Sequence, residues 1–140
     1  MINYKRLIIS TITGALLGII CIIGVGSRLF AGDYLGNIVY LLGIWMSRLV
    51  LGVTIGFVGE FVIVPGISWK KWINVSIRGI FFGLLFSTTV LLIDPYFNFM
   101  TFGAGITYGL IIDLVATFLT GEKAAKLFTR KKTEKEEKKD

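Results

Sequence analysis

Four long stretches of this chain are almost wholly apolar, and the small or polar residues inside each fall four positions apart. The first stretch carries Ser10, Gly14 and Gly18. The second carries Arg48, Gly52, Gly56 and Glu60. The third carries Gly79, Gly83 and Ser87, and the fourth Gly105, Gly109, Asp113, Thr117 and Gly121. Positions i and i+4 lie nearly above one another on a helix. The pattern therefore predicts four helices, each with one narrow, smooth face. In lipid, faces of small residues let helix backbones approach closely. The helix-packing positions expected from the stripes are Gly14, Gly18, Gly52, Gly56, Gly79, Gly83, Gly105 and Gly109.

The predicted spans run from about 7 to 26, 37 to 59, 75 to 93 and 100 to 120, inside a transmembrane domain of residues 1–121. Each is near the roughly 20 residues that cross a bilayer core of about 30 Å. Short loops join them. Pro65-Gly66 marks a turn in the middle connector, and Pro95 biases Asp94 away from helix. Trp69 and Trp72 bracket Lys70 and Lys71, as expected of a belt at the membrane interface. The fold class expected is an all-α integral membrane protein, a bundle of four transmembrane helices. Span one could be mistaken for a signal peptide, but it is longer than the usual 7–15 apolar residues and no clear cleavage site follows.

Composition agrees with this picture. The chain is 54% hydrophobic with a mean hydropathy of +0.77, and 17% of its residues are charged against about 25% in a soluble domain. The net charge of +6 does not indicate nucleic acid. Residues 122–140 hold eight of the fifteen basic and five of the nine acidic residues, as a charged and largely disordered tail. The remaining Lys and Arg fix orientation. Lys5, Arg6, Lys70, Lys71 and Arg78 mark one side, whereas the opposite loops offer only Arg28 beside acids. Both termini are therefore expected in the cytoplasm, with the protein in the plasma membrane.

The chain has one cysteine, Cys21, and no histidine. It can form no intrachain disulfide, no Cys/His zinc site and no Ser–His or Cys–His pair. Neither a metal nor a cofactor is expected, and no enzymatic activity.

Two ions lie deep in the spans. Arg48 is about eleven residues into span two and Asp113 about twelve into span four. Both spans run the same way, so each residue lies roughly 16–18 Å from the outer boundary. An isolated Arg at mid-bilayer costs from about 2.5 to more than 10 kcal/mol. An Arg48–Asp113 pair, within or between chains, is the simplest compensation and is the expectation here. It could fix helix register, or line a polar path with Asp113 as the titrating group. Glu60 and Arg78 lie near a boundary, where Arg78 can reach the headgroups. Ser and Thr within the spans can bond back to their own helix or line a wet path.

Two functions follow from these residues. One is an oligomeric transporter or channel subunit built around the Arg48/Asp113 pair. The alternative is a non-transporting scaffold or accessory subunit of a larger membrane complex. The expected partners are the lipid bilayer and either further copies of the chain or another membrane protein.

Overall fold

A computed structural model of the chain describes residues 3–60 and 70–120. Those residues form α1 (Tyr4–Leu29), α2 (Ile38–Phe57) with a 3-10 turn at Val58–Glu60, α3 (Lys70–Ile93) and α4 (Phe99–Thr120). Each of the four helices is long and apolar enough to cross a membrane. The helices exceed the predicted spans mainly at their charged ends. Tyr4, Lys5 and Arg6 continue α1 outward, and α3 begins five residues before its span. Backbone hydrogen bonding does not stop where hydropathy falls, because these residues are adequate helix formers. Trp69, Pro65-Gly66 and the 122–140 tail lie outside the described residues, as do the side chains of Glu60, Lys70 and Lys71. Trp72 is exposed at the start of α3.

Two antiparallel hairpins, α1/α2 and α3/α4, pack mainly through α1 against α4. Within the first, a methyl group on Gly14 would stand 2.6 Å from the Arg48 carbonyl, and one on Gly52 would stand 2.5 Å from the Ser10 carbonyl. Gly18 admits the Trp45 indole, whose Nε1–H donates to the Ala15 carbonyl (3.1 Å). Within the second hairpin, Gly79 meets the Gly109 carbonyl and Gly83 the Gly105 carbonyl, at 2.8 and 2.9 Å from an added Cβ. The glycine stripes thus face one another across each hairpin. That contact is closer than any side chain would permit.

The turns are made by side chains. Asp94 accepts from the Tyr96 and Asn98 amides (2.9 and 3.3 Å), and the Asn98 side chain caps α4 at the Thr101 amide (3.3 Å). Between α1 and α2, Ala31 and Gly32 take left-handed φ values of 47° and 89°. Gly32 does so without the strain that a side chain brings.

Burial is arranged inside out relative to a soluble protein. On α1, Arg6, Ser10, Gly14 and Gly18 are buried, while Ile8, Ile12, Leu16 and Ile23 are exposed. Small and polar residues inside with large apolar residues outside suit a hydrocarbon surrounding. The apolar interior is small. Cys21, Val25, Leu41 and Ile44 fill the hairpin-turn end, and Leu51, Ile55 and Ile112 fill the region nearer the chain termini.

Candidate functional site

The α-helical register that brings the glycines together also turns charged side chains inward. Among the described residues, Arg6, Arg48, Arg78, Asp94 and Asp113 are buried. They fall into groups at successive levels of the bundle.

The level nearest the termini centres on Asp113, which α4 holds fully buried. Arg78 on α3 grips it with two fork bonds, Nε to Oδ2 (2.7 Å) and Nη2 to Oδ1 (2.8 Å). Arg6 on α1 donates to the same Oδ1 through Nη2. The Nη1 donors reach further elements, and Arg6 Nε is buried without a partner. Arg6 Nη1 donates to Thr117 Oγ1 (2.9 Å), and Arg78 Nη1 to the Gly59 carbonyl after α2 (2.8 Å). A Cβ on Gly59 would meet the Arg6 side chain as it is placed here. One carboxylate thus ties α1, α3 and α4 directly and the end of α2 through Arg78. Charge-assisted, bidentate bonds of this kind are the strongest hydrogen bonds available to side chains.

The next level, toward the hairpin turns, centres on Arg48. Its exposure is 0%. Nη2 donates to the Thr101 carbonyl (2.9 Å) and Nη1 to Ser87 Oγ (3.3 Å), and the guanidinium stands 5.9 Å from the centroid of the Tyr108 ring. Among the described residues, no carboxylate lies within ion-pair range of it. Arg48 Nε and the Thr101 hydroxyl are buried with no hydrogen-bond partner. Gly105 makes room for the group, because a Cβ there would strike Ser87 Oγ and the guanidinium. At the hairpin-turn end, the Tyr40 hydroxyl donates to Asp94 Oδ1 (2.9 Å). Phe30, Tyr40 and Tyr96 close this end with three edge-to-face contacts at 5.5–5.6 Å.

The expected Arg48–Asp113 pair is therefore not formed within the chain. Asp113 bonds Arg6 and Arg78, and Arg48 bonds neutral groups. Counting residues from the span ends placed the two Cα atoms alike but ignored side-chain length and direction. Side chains on a helix lean toward its N-terminus. The long Arg48 side chain carries its charge to the level of Thr101, which lies twelve residues before Asp113 on α4, about 18 Å along the axis. Arg78, expected to reach the headgroups, is 3% exposed and turns inward. Arg6, read as an orientation signal, is also buried. Its place was visible in the sequence, because the stripe Ser10, Gly14, Gly18 continued back by four residues reaches Arg6. Arg78 follows Asn74 by four residues, and both are buried.

Most span hydroxyls bond back to their own helix. Thr11, Thr13, Thr54, Thr88, Thr89 and Thr107 each donate to a carbonyl four residues earlier. Ser87, Thr101 and Thr117 differ, lying against the buried guanidinium groups. Among the described residues no group of three or more Cys, Asp or Glu residues could hold a metal ion.

No family model matches the chain, and comparisons with curated proteins and with solved structures find no similar protein. The geometry alone carries the functional conclusion.

Proposed function

We propose that this small four-helix chain is a subunit of an oligomeric ion or solute transport protein of the plasma membrane, with both termini in the cytoplasm. The observation that supports it is the fully buried Arg48 guanidinium, held in mid-bundle by neutral groups. Such a charge costs a membrane protein from about 2.5 to more than 10 kcal/mol. Packing alone does not require it, since glycine stripes already set the helix contacts. Charged residues inside membrane helices characteristically mark ion pathways. Buried polar groups recur along the bundle from Asp94, which the half-buried Tyr40 bonds, through Arg48, Ser87 and Thr101, to Asp113 and Thr117. Four short helices leave little interior for a solute, so an oligomer supplies the remainder of the path. With no histidine and one cysteine, the chemistry proposed is movement, not catalysis.

The test is salt and proton flux in liposomes containing the purified full chain, beside empty liposomes and liposomes with the Arg48→Gln variant. Flux above empty vesicles that disappears in the variant is expected. Wild-type flux equal to that of empty vesicles contradicts the proposal.

The Asp113 clasp favours a second reading. Its carboxylate is fully engaged by arginines from two other helices, as suits a structural latch in a scaffold or accessory subunit of a larger membrane complex. Recovery of a stable membrane partner with a flux-silent protein would select that reading.

A further inference from the structure

We infer that Arg48, with Ser87 and Thr101, forms a binding site for a small monovalent anion of the halide class. This inference rests on the transport reading for its physiological meaning, but the site itself can be measured without any flux. The fold supplies its own comparison. Arg6 and Arg78 both close on the Asp113 carboxylate. Arg48 is more deeply buried than either, yet its partners are a carbonyl, a hydroxyl and an aromatic ring. A buried charge needs an opposite charge or a large number of hydrogen bonds, and Arg48 has neither among the described residues.

Unused donors belong to the same bonded residues. Arg48 Nε–H has no partner, and neither has the hydroxyl of Thr101, a residue 1% exposed whose carbonyl already holds Nη2. Ser87 Oγ accepts from Nη1, which leaves its own hydrogen to give. A guanidinium N–H and two hydroxyls around one positive charge are the donor set for an anion. One negative charge neutralises the site, whereas a second would leave net charge buried. Gly105 leaves the room that Ser87 Oγ and the guanidinium occupy, because a methyl group there would strike both. The enclosure of Arg48, at 0% exposure, keeps out a lipid phosphate. The nearest acid toward the turns, Asp94, is occupied by the Tyr40 hydroxyl and two backbone amides.

The experiment is thermal unfolding of the full-length protein in increasing sodium bromide, against sodium gluconate at equal ionic strength. A ligand that binds only the folded state raises the midpoint as its concentration rises. Bromide is expected to raise it and gluconate not. Thr101→Val and Ser87→Ala keep the charge and the packing, so they fold even if an Arg48 variant does not. Each is expected to need about tenfold more bromide for the same rise, the loss of one hydrogen bond to a charged partner. In crystals grown in bromide, an anomalous bromine peak is expected within hydrogen-bond distance of Arg48 Nε. Equal midpoints in the two salts, or a bromide effect unchanged in both variants, would overturn the inference. Bromide bound at Arg48 without flux would overturn the transport reading and leave the site standing. Flux without bromide at Arg48 would do the reverse.

Discussion

Two buried arginine sites in one small bundle are built on opposite principles. At the Asp113 level, two guanidinium groups share a carboxylate and donate further to Thr117 and Gly59, with Arg6 Nε left unpartnered. At the Arg48 level, a single guanidinium is held by neutral oxygens alone, with no carboxylate among the described residues. The first site is a clasp, because removing Asp113 leaves both guanidinium groups buried and uncompensated. The second does not need its charge to hold the helices, because glycine contacts above and below it already do so. Burial alone therefore does not tell a structural ion from a functional one. The presence or absence of a carboxylate partner does.

The comparison breaks most readily at the clasp. Asp113→Asn leaves Arg6 and Arg78 buried without their carboxylate, and a loss of about 3–5 kcal/mol is expected. Denaturant titration in detergent would measure it, and a loss below about 1 kcal/mol would mean that the clasp is not formed. A smaller loss is expected from Gly52→Val. Its side chain would meet the Ser10 carbonyl of α1, for which the cost of overpacking is about 1–3 kcal/mol. Gly43→Ala is the matched control, since nothing lies within 4 Å of an added Cβ there. It should be neutral or more stable by about 0.5–1 kcal/mol, from helix propensity. Thr117→Val removes one acceptor from Arg6 and should cost about 1–3 kcal/mol, read from the same titration. The smallest stability effect is expected at the other site. Arg48→Gln removes a costly charge together with its few bonds, and unfolding free energy should stay within about 1 kcal/mol of wild type or rise. A large loss there would make Arg48 a second clasp and end the contrast.

The elements were legible because hydropathy and four-residue spacing act locally. The stripes through Gly14 and Gly52, and through Gly79 and Gly109, could be read directly as close-approach faces, since a missing side chain has only one geometry. Charges were harder. Arg6 and Arg78 sit near the ends of their helices, where sequence alone equally supports a side chain turned to water. Their inward turn depends on rotation of each helix about its axis, which hairpin packing fixes and residue counting does not. Arg48 and Asp113 were placed at equal depth by their Cα positions, but the reach of an arginine side chain is several times the rise per residue. The hydroxyls divide in the same way. Thr54 and Thr107 bond only to carbonyls of their own helices, whereas Ser87 and Thr117 accept from arginines of other helices. Only the neighbouring helix distinguishes them.

The division of the interior into two independent charged sites is tested most directly by a double-mutant cycle on unfolding free energy, using Arg48→Gln, Arg78→Gln and Asp113→Asn. Residues in one ion-pair network couple by about 0.5–3 kcal/mol, whereas distant residues add within about 0.5 kcal/mol. The account predicts strong coupling between Arg78 and Asp113 and none beyond that margin between Arg48 and Asp113. Coupling between Arg48 and Asp113 as large as that of Arg78 would contradict it.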